Sequence, residues 1–245
     1  MVPQRFDSID ALRGAALVWM TLFHFGFDLN HFGYLVQDFH NDPVWTLQRT
    51  LILSLFLFCA GLGQAVALQR SQTWARFWRR WAQVAGCAAL VSAGSYLMYP
   101  KSFIFFGVLH GIAVMLVMVR LSAHWGRWLW LLGLAAVAAP PIAAALLQSS
   151  DWAGAFNSHW LSWLGLVTRK PITEDYVPLL PWLGLVWWGM ASGTWLQRHR
   201  PGILSWRPAL LGRPLAALGR WSLSYYMLHQ PLMIGALMLF GAAAK

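Results

Sequence analysis

The chain has 245 residues, of which 58% are hydrophobic and only 11% are charged, and its mean hydropathy is +0.51. This composition excludes a soluble single domain and is typical of an integral membrane protein. The net charge of +10 does not indicate nucleic-acid binding, because the cations gather in short loops between apolar runs, where they set the membrane topology.

Seven apolar runs are long enough to cross a bilayer, and we predict an all-α bundle of membrane helices that forms one domain over residues 1–245. The runs lie at about 11–30, 46–68, 81–99, 103–121, 125–147, 178–196 and 217–242. Arginines crowd the loops after the second, fourth and sixth runs, and the loops on the other side carry most of the acidic residues. This asymmetry predicts a cytoplasmic N-terminus and an outer C-terminus.

The first run carries three ionisable side chains at helical spacing. Ten residues separate Arg13 from His24, which places them about 16 Å apart along a helix. Asp28 lies one turn beyond His24 on the same face and can fix the tautomer of the imidazole, as partners of general bases do. Ionisable groups inside a membrane are costly, so these residues are candidates for function, with a structural polar network as the alternative.

Further histidines follow along the chain. His40 lies in the short loop NHFGYLVQDFHNDP, close to the expected outer mouth of the bundle, although a solvated surface histidine fits that pattern as well. Arg49, His110 and His229 interrupt later apolar runs, so we expect them to face a polar cavity inside the bundle. Two histidines that face each other inside a membrane can alternatively ligate haem.

The last outer loop, at about 148–177, is the longest and ends in the segment RKPITEDYVPLLPW. Long loops of this kind are often functional. Its acidic pair and the aromatic residues of this segment are candidate binding residues; they are Glu174, Asp175, Tyr176 and Trp182. The sequence contains no Gly-rich phosphate loop, HExxH or CxxC pair, so no metal site is predicted.

Several segments together resemble bacterial membrane proteins related to the catalytic domain of heparan-α-glucosaminide N-acetyltransferase. They are IDALRGAALVWMTLFHFGFDLNHFG, SLFLFCAGLGQAV, FGVLHGIAV, TEDYVPLLPWLGLVWWGM and LGRWSLSYYMLHQPL, and they span nearly the whole chain. The spacing of Arg13 and His24 also matches the Arg-x10-His signature of the type-3 membrane acyltransferases. Both resemblances imply transfer of an acyl group from cytosolic acyl-CoA to an acceptor, usually a sugar, at or across the membrane.

The resemblance leaves two candidates for the catalytic base. His24 takes the place of the type-3 signature histidine, whereas the lysosomal acetyltransferase has Asn at that position. The histidine that is regarded as catalytic in the lysosomal enzyme aligns with His40. The chain also lacks the large luminal domain of that enzyme, so its acceptor need not resemble heparan.

We therefore expect a transmembrane acetyltransferase of the bacterial cytoplasmic membrane that moves acetyl from acetyl-CoA to an amine or hydroxyl of a glycan-like acceptor. The predicted catalytic residues are His24, His40 and Asp28. The donor side is assigned to Arg13, Arg49 and His110, and the acceptor side to the 174–176 segment, Trp182 and His229. A homo-oligomer is compatible with the sequence, and the alternative functions are a small-solute or lipid transporter and a haem-binding redox protein.

Overall fold

The computed structural model describes residues 6–206 and 212–243, and within these ranges the chain is helical without a sheet. The ten α-helices are α1 (Asp7–His31), α2 (Pro43–Gln69), α3 (Trp74–Met98), α4 (Val108–Ser122), α5 (Trp128–Leu147), α6 (Ala153–Phe156), α7 (Trp182–His199), α8 (Pro201–Ser205), α9 (Gly212–Arg220) and α10 (Ser222–Ala243). The all-α prediction is confirmed for the described residues.

Four of these helices are long and apolar enough to cross a membrane: α2, α4 with the short 3₁₀ turn that follows it, α5 and α10. The predicted seven spans are thus confirmed only in part. Helices α1 and α3 have 25 residues each and are also long enough. Charged and polar side chains lower the mean hydropathy of these two helices and of the 18-residue α7, so the apolar runs that predicted them do not meet the combined requirement of length and hydropathy.

Two boundaries differ from the sequence prediction. The third and fourth runs are not joined by a three-residue hairpin, because residues 99–107 form an irregular connection. Serines hold that connection in place: Ser95 Oγ accepts the backbone N–H of Ile104, and Ser92 Oγ donates to the Ile104 carbonyl. The seventh run is divided at Trp221, where α9 ends and α10 begins.

The chain divides into two compact units, Met1–Phe56 with His199–Lys245 and Leu57–Arg198. In the first unit, α1 packs its buried apolar side chains against the loop that follows it and the start of α2; this core contains Leu17, Met20, Phe23, Phe39 and Ile52. Phe39 stacks on Trp45 with ring centroids 4.0 Å apart, so the loop is anchored to α2. This packing fixes the rotation of α1 about its axis.

Helix α9 approaches the backbone of α1 closely in the same unit. A Cβ atom at Gly14 would overlap the carbonyl group of Leu215, and one at Gly219 would overlap the carbonyl group of Asp10. Ion pairs reinforce the contact, since Arg220 bonds Asp7 at 2.7 Å and its Nε lies 3.9 Å from Asp10. Small residues at helix contacts are the usual means of close packing where helices meet within a bilayer.

In the second unit, glycines also allow two helices to approach each other closely. A Cβ atom at Gly61 of α2 would overlap the Val186 carbonyl of α7, and one at Gly189 would overlap the Phe58 carbonyl. Between α3 and α4, Trp81 Nε1 donates to the Ala113 carbonyl at 2.9 Å. The long helices of this unit are therefore joined by backbone contact and by indole hydrogen bonds.

We expect Gly219→Ala to lower the free energy of unfolding by about 1–3 kcal/mol, because the added methyl group overpacks the contact between α9 and α1. The measurement is thermal unfolding of the purified protein in detergent. The matched control is Gly94→Ala on α3, where nothing lies within 4 Å of the new methyl group. Equal unfolding temperatures for the two variants would contradict the close contact.

Candidate active site

Polar side chains of α1 and α10 face each other in successive layers within the first unit. Each layer pairs one residue of α1 with one of α10: Thr21 with Tyr225, His24 with His229, and Asp28 with Gln230. Residue numbers increase together in both helices, so α1 and α10 run in the same direction. The polar face of α1 predicted from its helical spacing thus meets a polar face on a second helix.

His229 is buried, with 7% of its surface exposed, and its ring is held in one orientation. Its Nδ1 lies 2.7 Å from the Tyr226 carbonyl oxygen, which only accepts hydrogen bonds, so Nδ1 carries the proton in the neutral ring. The Tyr225 ring lies parallel to it, with centroids 5.9 Å apart and an angle of 8° between the planes. This arrangement leaves the lone pair on Nε2, which has no hydrogen-bond partner among the described residues.

His24 lies beside His229, with ring centroids 5.3 Å apart and an angle of 61° between the planes. The edge of Phe23 packs 5.7 Å from the His24 ring, measured between centroids. His24 is half-buried, whereas the Nε2 atom of His229 is shielded from solvent. The two imidazoles therefore form a pair in which His24 is the more accessible member.

Thr21 and Tyr225 form the first layer, one helical turn before the two histidines. The Thr21 hydroxyl donates to the Leu17 carbonyl at 2.8 Å, so the Tyr225 hydroxyl donates to Thr21 Oγ1 at 2.7 Å. A hydroxyl group has one proton, which settles the direction of both bonds. This chain of hydrogen bonds fixes the Tyr225 ring that lies against His229.

Asp28 is buried, with 3% of its surface exposed, and its partner is on α10. Gln230 Nε2 donates to Asp28 Oδ1 at 2.7 Å, and the structure shows no hydrogen bond between Asp28 and His24 within the described ranges. The other carboxylate oxygen and the Gln230 Oε1 atom are buried acceptors without a partner among the described residues. Unpaired buried acceptors cost free energy, so this layer favours a ligand that offers N–H or O–H donors.

The other predicted residues of this unit lie outside the histidine pair. Arg13 bonds Asp10 at 3.2 Å and belongs to the ion-pair network at the start of α1. Arg49 is exposed on α2, so the expected inward orientation is not found for this residue. His40 is exposed in the loop after α1, and its ring contacts the edge of Phe27 at a centroid distance of 6.1 Å.

Asp38 shapes the loop that carries His40. Its carboxylate accepts the Asn41 side-chain amide at 2.9 Å and the backbone N–H groups of Asn41 and His40, both at 3.0 Å. These hydrogen bonds lower the pKa of Asp38, with the Asn41 side chain as the main cause. The loop is therefore a compact turn in which His40 contributes its backbone to the Asp38 bonds and its ring to the surface.

In the second unit, His110 is a helix-capping residue. The Gly107 backbone N–H donates to His110 Nδ1 at 3.3 Å, so the ring proton is on Nε2, which lies 3.1 Å from Ser92 Oγ. Both ring nitrogens are thus engaged at the start of α4. These two structural hydrogen bonds explain why a histidine lies in the GVLHGIA segment, and no bound ligand is needed to explain it.

The predicted sugar-facing residues fasten the segment before α7 to the connection between α3 and α4. Asp175 Oδ2 accepts the Val108 N–H at 2.8 Å, the Glu174 carboxylate accepts the Ser102 hydroxyl, and the Tyr176 hydroxyl donates to the Ser162 carbonyl at 2.6 Å. Burial raises the pKa of Tyr176 to about 12. The side chains at 174–176 are thus occupied by structural hydrogen bonds, and half-buried Trp182 opens α7.

Sequence reasoning missed three members of the site: Thr21, Tyr225 and Gln230. For Thr21 and Tyr225 the signal was the spacing, since Thr21 precedes His24 by three residues and Tyr225 precedes His229 by four, whereas Gln230 directly follows His229 and has no such signal. Those separations place each residue on the same helix face as its histidine. Among the described residues, no group of three or more His, Cys, Asp or Glu side chains is arranged to hold a metal ion.

Comparison with known proteins gives one clear match. The sequence model of the family described as heparan-alpha-glucosaminide N-acetyltransferase, catalytic, matches residues 5–231. No curated protein and no solved structure matches the chain. Because this match covers most of the chain, the chain belongs to the heparan-alpha-glucosaminide N-acetyltransferase catalytic domain family.

Proposed function

We propose that this protein is a membrane acetyltransferase that moves acetyl from acetyl-CoA to an amine or hydroxyl of a glycan-like acceptor. Membership of the family supports a membrane acetyltransferase-like function in general. The observation that carries the finer proposal is the pair formed by His24 and His229, two imidazoles from separate helices with centroids 5.3 Å apart. The proposed location is the bacterial cytoplasmic membrane.

His24 is the proposed general base. It is the accessible member of the pair, and no hydrogen bond to its ring nitrogens is found among the described residues, so the unprotonated nitrogen of the neutral ring is free to accept a proton. His229 sits behind it with its lone pair on the buried Nε2 atom, because Nδ1 donates to the Tyr226 carbonyl. A proton that arrives on His24 can thus be shared with a second nitrogen that offers no competing hydrogen bond.

The reaction follows from these roles. The acceptor gives its N–H or O–H proton to His24 while its nitrogen or oxygen attacks the thioester carbonyl carbon. The carbon–sulfur bond then breaks, and the CoA thiolate takes up the proton that His24 received, so one acetyl amide or ester and one CoA thiol are formed and the imidazole is neutral again. The unpaired acceptors of Asp28 and Gln230 support an acceptor substrate with several N–H or O–H donors, as a sugar has.

Arg13 remains our proposed contact for the donor. It lies eleven residues before His24 on α1, and 22% of its side chain is exposed although it pairs with Asp10. A guanidinium group has five N–H donors, and the Asp10 bond uses only the NH1 nitrogen. The remaining donors suit the phosphates of CoA.

The first test is acetyl transfer from radiolabelled acetyl-CoA to a panel of amino sugars and neutral sugars. We expect His24→Ala to lower kcat/KM by roughly 100-fold or more, which is the usual contribution of a general base. We expect His40→Ala to retain most of the activity, as should the control His31→Ala at the exposed end of α1. If His40→Ala lost activity and His24→Ala kept full activity, the result would contradict the proposal and identify His40 as the general base.

The second test separates the chemistry of His229 from its structural role. In His229→Asn the side-chain amide can still donate to the Tyr226 carbonyl in place of Nδ1, but the Nε2 lone pair is lost. We therefore expect the variant to unfold at nearly the wild-type temperature and to lose roughly 10-fold or more in kcat, since the nitrogen it lacks acts in the proton transfer. Wild-type kcat in a folded His229→Asn protein would contradict the proposed role of the pair.

The third test concerns Asp28 as a positioning residue. Asp28→Asn keeps an oxygen that accepts the Gln230 amide, whereas Asp28→Ala leaves that buried donor unpaired, at a cost of about 1–3 kcal/mol. We expect Asp28→Asn to retain most of kcat and Asp28→Ala to lose about 10-fold. The measurements are kcat and its pH profile for both variants. An equal loss in the two would show that the negative charge is required, contrary to the geometry.

A further inference from the structure

The second unit contains a surface cavity of about 300 Å³ that the proposed reaction does not use. It lies where the connection between α3 and α4 meets the segment between α5 and α7. Its wall is partly aromatic and aliphatic and carries a few polar groups; the lining residues are Lys101, Phe103, Phe105, Asn157, His159, Ser162, Pro171 and Ile172. Its volume is at the lower end of the range of small-molecule sites.

Most polar groups in the wall are already occupied. The Asn157 amide bonds Thr168 at 2.7 Å and accepts two backbone N–H groups, and the Ser162 hydroxyl points to the His159 carbonyl. Two side chains are not engaged in this way. The Lys101 ammonium has no ion-pair partner among the described residues, and the His159 imidazole makes only ring contacts, the closest with Phe105 at a centroid distance of 4.1 Å.

The charge balance around the cavity favours an anion. No acidic residue is among the residues that line the cavity, whereas the cationic Lys101 is. Lys101 therefore keeps its charge without a neutralising neighbour in the wall, and His159 adds an N–H donor beside it. Donors of this kind bind phosphate oxygens through charge-assisted hydrogen bonds.

The surroundings of the cavity favour a lipid as the source of that anion. Ile172 in the wall has 84% of its surface exposed, and Trp160, next to His159, is equally exposed. Large apolar side chains with this exposure, on the loop face of a membrane protein, match the interface between acyl chains and headgroups. We propose that this cavity binds the phosphate headgroup of an anionic phospholipid, held by Lys101 and His159 with Phe103 and Ile172 against its apolar part.

The test measures binding of dihexanoyl phosphatidylglycerol to the purified full-length protein in detergent by isothermal titration calorimetry. We expect Lys101→Gln to weaken binding by about tenfold, because it removes a charged hydrogen-bond donor. Ile172→Asp should weaken binding to a similar extent, since it places a carboxylate at the wall. Both residues are exposed, so thermal unfolding should be unchanged and the loss is attributable to the site.

The matched control is Arg79→Gln, which removes the same charge from an exposed position on α3 that does not line the cavity. Unchanged affinity in this variant, with weaker binding in the two cavity variants, supports the proposal. Equal affinity in all four proteins, or no binding to any, overturns it. If neutral dihexanoyl phosphatidylcholine bound equally tightly, the site would not recognise negative charge and the proposal would be wrong. If glycerol 3-phosphate bound equally tightly, the ligand would be a free phosphate ester and the proposal of a lipid would be wrong. This site is independent of acetyl transfer, so neither result bears on the histidine pair.

Discussion

Polar side chains buried in a helix that is surrounded by lipid must find partners on a neighbouring helix, because the hydrocarbon offers none. This constraint organises the first unit. Helix α1 carries polar residues on one face, and polar residues of α10 contact them layer by layer, with the two histidines in the middle layer. The apolar core and the close contact with α9 hold α1 in the rotation that makes this match. The proposed chemistry is therefore built from residues that also satisfy one another structurally.

The two units show how similar residue types serve different ends. In the first unit, His229 uses one nitrogen for its own helix and keeps the other free, and Asp28 leaves an oxygen unpaired. In the second unit, both ring nitrogens of His110 are hydrogen-bonded at the start of α4, and one carboxylate oxygen each of Glu174 and Asp175 accepts a hydrogen bond that caps α4 or fastens a loop. Unpartnered buried acceptors also occur in the second unit, at Gln64 and Gln72, so a free acceptor alone does not mark a site. What distinguishes the candidate active site is that three such atoms lie on facing residues of α1 and α10, namely Asp28, His229 and Gln230.

The sequence predicted the positions of the helices better than the side-chain contacts between them. The apolar runs located the long helices with ends that differ by up to seven residues, as at the start of α3, and the spacing of His24 and Asp28 placed both on one face of α1. The sequence, however, predicted that Asp28 would interact with His24, whereas in the structure Asp28 accepts a hydrogen bond from Gln230. Spacing within one helix defines a face and carries no information about the residues on the helix that packs against it. The same limit applies to Arg49, whose position in an apolar run suggested an inward orientation that the structure does not show.

Helices α1 and α10 run in the same direction, although they stand near opposite ends of the described chain. Neighbours that run in parallel require an odd number of crossings between them, which the five intervening apolar runs would supply. During synthesis, α1 leaves the ribosome long before α10, because the other helices lie between them in the chain. The nascent protein therefore passes through a stage at which Thr21, His24 and Asp28 lack their partners on α10. A chain cut short before α10 would keep these polar side chains of α1 without the residues that pair with them.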